Sequence, residues 1–137
     1  LRDAGRLLPR RLVLFSPWTD MTASGRSYET RRDADPMLTM DYIRAVRSAY
    51  APCQELSSPL LSPLFGDFDR FPPTLIQVGE NEILFSDSLR LRDRLVQSGV
   101  PCRMELWPDM WHVFQMFPMK KAAEAMESVG RFLLEIV

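Results

Sequence analysis

The stretch that decides the fold is residues 74–112, TLIQVGENEILFSDSLRLRDRLVQSGVPCRMELWPDMWH. It opens on an apolar run, residues 74–79, that follows Pro72-Pro73 and ends at Gly79. It closes on a second run, residues 102–107, set between Gly99 and Pro108. Runs of this length bounded by Pro and Gly read as strands. Between them Ser86 can cap a helix, Leu91 and Leu95 lie one turn apart, and Gly99 ends the pattern. Strand, helix, strand is the right-handed crossover of a parallel sheet. The near-continuous apolar runs suit strands covered on both faces.

Working outward, residues 11–16, RLVLFS, form a third strand candidate ended by Pro17. The three are expected to be parallel, with the 74–79 strand between the other two or beside the 102–107 strand. Downstream, PMKKAAEAMESVGRFLLEIV (residues 118–137) reads as a helix with Pro118 in its first turn. Its apolar face is Ala122, Ala125, Met126, Val129, Phe132, Leu133 and Ile136. A further helix runs over residues 39–50, with Thr39 as N-cap, a face of Tyr42, Ile43, Val46 and Tyr50, and Pro52 as its stop. The rest of residues 17–72 is rich in Pro and Ser and reads as an excursion over the sheet edge, within one domain over residues 1–137. Residues 1–4 followed by Gly5 look like the last turn of a helix. With no initiating methionine, that is the expected mark of a piece of a longer protein.

Composition narrows the classes. The chain has 137 residues, enough for one domain with a real core. Its 17 Lys and Arg against 18 Asp and Glu offer no electrostatic handle for nucleic acid or anionic membrane. No apolar run reaches the roughly 18 residues of a spanning helix. Arg2, Asp3, Arg6, Arg10 and Arg11 break up any signal peptide. Cys53 and Cys102 match no metal spacing and read as reduced thiols of a cytoplasmic protein.

In parallel sheets, functional groups collect beyond the carboxyl ends of the strands. Glu80 and Glu82 of GENE follow one strand; Asp109 and His112 of PDMWH follow the other. His112 is the only histidine of the chain. Neighbouring strands lie about 5 Å apart, so one of these carboxylates can reach the imidazole. A carboxylate on Nδ1 would leave Nε2 as a base for a nucleophile. The same residues also suit a partly buried, hydrogen-bonded histidine with no catalytic part.

Three segments then carry a resemblance. LVLFSPWTDMTASGRSYETRRDADPMLT (12–39), SPLFGDFDRFPPTLIQVGENEILFSDSLRLRDRLVQSGV (62–100) and MELWPDMWHVFQMF (104–117) resemble the hormone-sensitive-lipase-type esterases of the α/β-hydrolase superfamily. They match the C-terminal half of that fold, a mostly parallel sheet with flanking helices. The resemblance implies a carboxylic ester hydrolase using a Ser-His-acid triad on a small acyl ester, without metal or organic cofactor. His112, in DMWHVFQ, matches the family's catalytic histidine. Glu82 stands where the family usually has Asp, three residues past the strand-ending glycine. Asp87 is the rival acid, but its place on the next helix suggests it is drawn to that helix's N-terminus. Glu80 and Asp109 read as solvated loop charges. Trp18 and Asp20 of SPWTD read as packing and turn residues, and Asp35 before Pro36 as a turn. Val113 and Phe114 are expected to touch the acyl or alcohol group. The family's likeness also suggests a homodimer through the last strand and helix.

The nucleophile elbow Gly-x-Ser-x-Gly is absent from the sequence, as is the His-Gly-Gly oxyanion stretch. Ser16 is the best-placed serine, but Pro17 after it has no N–H to serve an oxyanion, so Ser16 reads as structural. The serine is therefore expected upstream of Leu1. The alternative is a non-catalytic module that pairs with a separate, nucleophile-bearing half.

Overall fold

The computed structural model describes residues 1–135. Three strands, β1 (Leu12–Phe15), β2 (Thr74–Gly79) and β3 (Cys102–Trp107), form one parallel sheet in the order β1-β2-β3. Leu14, Ile76 and Met104 stand side by side in the register. The expected parallel arrangement with residues 74–79 in the centre is the one found. β1 is shorter than read, because Ser16 leaves the strand in a left-handed conformation at φ 45°. Only β2 is buried along its whole length. β1 is half-buried and β3 exposes Arg103 and Leu106, since each strand pairs on one side only among the described residues. An apolar run thus marks a strand without saying that both its faces and both its edges are covered.

Helices α1 (Ser27–Thr30), α2 (Met40–Tyr50), α3 (Phe85–Gln97) and α4 (Lys120–Leu134) complete the fold. Strand alternation sends Ile76 to one face of the sheet and Leu75 to the other. Ile76 packs with Leu91 and Leu95 of α3, Val100, and Leu64 and Phe68 from the excursion. Leu75 packs with Val129 and Phe132 of α4, backed by Val13 and Phe15. Each such side chain contributes about 1.5–3 kcal/mol by leaving water. These two layers hold β2 rigid, and β2 carries the loop of Glu82 at its carboxyl end.

Several helix details differ from the sequence reading. Thr39 caps α2 as expected, its hydroxyl accepting the Tyr42 N–H at 3.2 Å. Of the predicted face, however, Ile43 is buried while Tyr42 and Tyr50 lie in solvent. α3 begins with Leu84 at the N-cap rather than Ser86. Ser86 lies in the first turn and exchanges hydrogen bonds with Ser27, each hydroxyl accepting the other's backbone N–H. α4 starts at Lys120, past Pro118, and buries Ala122, Ala125, Ser128, Val129 and Phe132. Met126 and Leu133 face out, because small residues at 122 and 125 let the helix sit close on a narrow stripe. Ile136 lies outside the described residues. The turn before Gly5 is a short 3-10 helix, Arg2–Ala4, and Gly5 takes the left-handed conformation, φ 62°, that ends it. No helix among the described residues is long and apolar enough to cross a membrane.

Candidate active site

The sheet brings the ends of β1, β2 and β3 to one rim. There the loops after β2 and β3 lock together through their backbones. The Glu80 N–H donates to the Trp107 carbonyl at 2.9 Å, and the Asn81 N–H to the Met110 carbonyl at 2.8 Å. Gly79 permits this approach: a Cβ there would stand 2.4 Å from the Met110 carbonyl oxygen, with no side chain to give way. The loop is also tied from beyond the sheet. Asp35 accepts the Ile83 N–H at 2.9 Å with one oxygen, and the Met37 and Leu38 N–H groups with the other.

Glu82 is wholly buried on this locked loop. Its Oε1 accepts the Ser16 hydroxyl at 2.7 Å and the Gly79 N–H. Its Oε2 stands 3.3 Å from Nδ1 of His112. A buried carboxylate is tolerable only when paired and hydrogen-bonded, and here both oxygens are engaged. The His112 side chain is 21% exposed against 0% for Glu82, so the ring is sealed on the carboxylate side and open on another. The separation is slightly longer than a tight hydrogen bond.

The histidine loop is pinned by its neighbours. Phe114 is completely buried, tilted against Trp107 at 5.6 Å between ring centroids and packed with Ala122 and Ala125. Its ring therefore faces the protein interior, while Val113 is half-buried beside the imidazole. Val113 has φ 47°, and its N–H donates to the Ser16 hydroxyl oxygen at 3.2 Å. A β-branched residue is rarely found in that conformation.

The other carboxylates are placed elsewhere. Glu80 accepts the Asp109 N–H at 3.2 Å, and Asp109 lies exposed near Lys121. Asp87 is on the first turn of α3, yet it does not serve that helix's own N–H groups. Its Oδ2 accepts the backbone N–H of Thr19 at 2.9 Å and of Asp20 at 2.8 Å, tying the excursion to α3. Its Oδ1 has no partner among the described residues. Burial pushes the Asp87 carboxyl up to about 6, against the opposing pull of those two N–H groups. Burial would raise Asp20 too, but the Ser24 and Thr22 hydroxyls and Arg90 overcome it and hold that carboxyl below its usual range. Trp18 packs under the acid loop with Tyr28, Ile83 and Leu84. Cys53 and Cys102 are both free thiols, and burial pushes Cys102 up to about 11.

A stability effect follows from Asp87. Its folded value lies above the ordinary 3.8, so the native state holds a proton that the unfolded chain has already lost. The stabilisation is complete below pH about 4 and disappears as pH rises through about 6. Asp87→Asn keeps an acceptor for both N–H groups and carries no charge to bury. The variant is expected to gain about 2–3 kcal/mol over the wild type at pH 7 and to match it near pH 4. Urea unfolding at the two pH values checks this. Equal stability of the two proteins at pH 7 would refute it.

The contact that the sequence reading missed is Ser16 with Glu82. Its signal was available: Ser16, Gly79 and Trp107 end neighbouring parallel strands, so a short polar side chain at Ser16 lies within reach of both loops.

The profile of a family described as alpha/beta hydrolase fold matches residues 1–116. An acetyl-hydrolase of Streptomyces hygroscopicus is 36% identical over 97% of this chain, and an esterase of Acinetobacter venetianus is 35% identical over 96%. Among solved structures, an esterase from the bacterial hormone-sensitive lipase family superposes with a TM-score of 0.94 at 36% identity over 96% of this chain. A hormone-sensitive lipase from a metagenome library superposes with a TM-score of 0.93 at 32% identity. The chain spans about 45% of the length of each of these four proteins.

Proposed function

This chain belongs to the alpha/beta hydrolase fold family and, within it, to the hormone-sensitive-lipase type; on that premise we propose that it supplies the acid and base of a serine carboxylesterase. The observation that carries the reading is the sealed Glu82 carboxylate 3.3 Å from the half-open ring of the chain's single histidine. Glu82 accepts the Nδ1 proton and so leaves the lone pair of Nε2 free. Nε2 takes the proton of an attacking serine hydroxyl, and the imidazolium so formed is stabilised by the carboxylate. The same proton then goes to the leaving alcohol. Water repeats the cycle on the acyl-enzyme. Val113, half-buried beside the ring, contacts the acyl or alcohol group of a small ester, and Phe114 supports it from the interior.

The serine comes from outside residues 1–137, which hold no Gly-x-Ser-x-Gly. Two observations support a partner half that extends the sheet. Among the described residues β1 pairs on one side only, and a hollow at its start is lined by Leu8, Leu12, Leu60, Phe68 and Phe71. Leu60 in that hollow is almost fully exposed. An open, apolar strand edge is a surface that proteins cover. The excursion of residues 17–72 is part of the same single domain. The open side of β3 with α4 is a surface for a second copy, and two free thiols suit a reducing cytoplasm.

The test compares the chain alone with the chain joined to the nucleophile half of a relative. Alone, it is expected to hydrolyse a short-chain nitrophenyl ester no faster than its His112→Ala variant. Joined, it is expected to turn over. Turnover by the chain alone that disappears on Ser16→Ala would contradict this and make Ser16 the nucleophile.

A further inference from the structure

Two residues at the rim hold left-handed backbone conformations that their side chains disfavour, and they are bonded to each other. Ser16 has φ 45° and Val113 has φ 47°. Conformations of this kind cost on the order of 1–3 kcal/mol each and persist where the surroundings enforce them. Here the Val113 N–H donates to the Ser16 hydroxyl oxygen, and that hydroxyl donates its own proton to Glu82. The Ser16 N–H meanwhile continues the sheet, donating to the Gln77 carbonyl at 2.8 Å. Ser16 is buried, with 2% exposure, so its hydroxyl works entirely within this set of partners.

We propose that Ser16 is a positioning residue of the acid–base pair, turning the Glu82 carboxylate and fixing the histidine loop with one hydroxyl. The inference rests on the reading of Glu82 and His112 as acid and base. Together with the Gly79 N–H, the Ser16 proton fills the lone pairs of Oε1 that face the sheet. The carboxylate cannot then rotate without losing both bonds, and Oε2 stays directed at Nδ1. Through its oxygen, Ser16 holds the Val113 backbone one residue from the imidazole. The hydroxyl proton points to the carboxylate rather than to the imidazole, and Pro17 follows it, so Ser16 lacks the arrangement of a nucleophile. Its part is to make the Nδ1–H form of the ring the favoured one.

Because His112 is the only histidine, its tautomer can be read without overlap in the ¹⁵N-labelled chain by two-bond ¹H–¹⁵N correlation, at a pH where the ring is neutral. Ser16→Ala removes the hydroxyl and keeps the backbone strain. Ser16→Gly removes the hydroxyl and relieves the strain, which keeps the test decisive if the alanine variant is poorly folded. The wild-type ring is expected to be mainly Nδ1–H. Both variants should lower the ratio of Nδ1–H to Nε2–H about tenfold, the effect of one charge-assisted hydrogen bond. Ser16→Gly should do so while unfolding at the same or higher urea concentration than Ser16→Ala. A wild-type ratio in both variants would overturn the proposal and leave Ser16 as buried filling. If Glu82→Gln also left the ratio unchanged, the pairing of Glu82 with His112 would itself fail, a result distinct from failure of the Ser16 step alone.

Discussion

His112→Ala is expected to lower kcat by about 10⁶-fold in the enzyme that joins this chain to its nucleophile, with KM little changed. The imidazole is asked to remove a proton from a hydroxyl that is hardly acidic at neutral pH, and then to protonate an alkoxide leaving group. Without it, each acyl transfer must proceed through water, and only substrate binding and the oxyanion donors remain. A loss of this size corresponds to about 8 kcal/mol of transition-state stabilisation. Residues 1–137 offer no second histidine to take over the role. The fold should tolerate the change, because the ring is partly exposed and the loop is held by Phe114, Met110 and the Val113 N–H. Steady-state hydrolysis of a short-chain ester, with circular dichroism to verify folding, measures it. A loss of only a few-fold would remove His112 from the chemistry.

Glu82→Gln is expected to lower kcat by about 10⁴-fold at an unchanged fold. The size follows from the donors around the side chain. The Gly79 N–H and the Ser16 hydroxyl both point at Oε1, so the glutamine carbonyl is drawn to that side. Its amide group must then face Nδ1 and donate to it. That donation stabilises the Nε2–H form of the ring, in which the nitrogen meant to accept the serine proton already carries one. The imidazolium also loses its counter-charge. The variant thus supports the wrong tautomer actively, which is a stronger effect than deletion of a helpful contact. Addition of a negative charge elsewhere on the rim should not restore it, because orientation as well as charge is lost.

The strands and the meeting of the two loops were legible because their signals are local. Pro73 precedes β2, and Pro101 and Pro108 bracket β3, so those boundaries follow from residues that cannot donate to a ladder, while Gly79 is the last paired residue of β2. Once both strands are parallel neighbours, their trailing loops must meet, and Glu82 and His112 lie in those loops. The faces of the helices were less legible. Tyr42, Tyr50, Met126 and Leu133 have the spacing of core residues, but what packs on a helix depends on the partner surface, and none was available for them here. The long-range bonds were hidden for another reason. Asp87 reaches Thr19 and Asp20 across 68 and 67 positions, so no spacing rule signals it; Ser16 reaches Glu82 across 66, and only the alignment of the strand ends points to that contact. Both are consequences of the excursion and β1 being folded back on the same rim. The two carboxylates differ in where they face: Glu82 looks across to the neighbouring strand's loop, and Asp87 looks back to the loop after β1.

The measurement that decides most directly is the pre-steady-state burst of nitrophenol from a short-chain ester, which reports acylation of the serine, in Glu82→Gln and Asp87→Asn side by side in the joined enzyme. Asp87→Asn is predicted to keep the burst rate within about threefold of the wild type, since Asp87 holds backbone N–H groups of the excursion and not the imidazole. Glu82→Gln is predicted to slow the burst by about 10⁴-fold. A full burst in Glu82→Gln together with its loss in Asp87→Asn would contradict the pairing of Glu82 with His112 and transfer the role to Asp87.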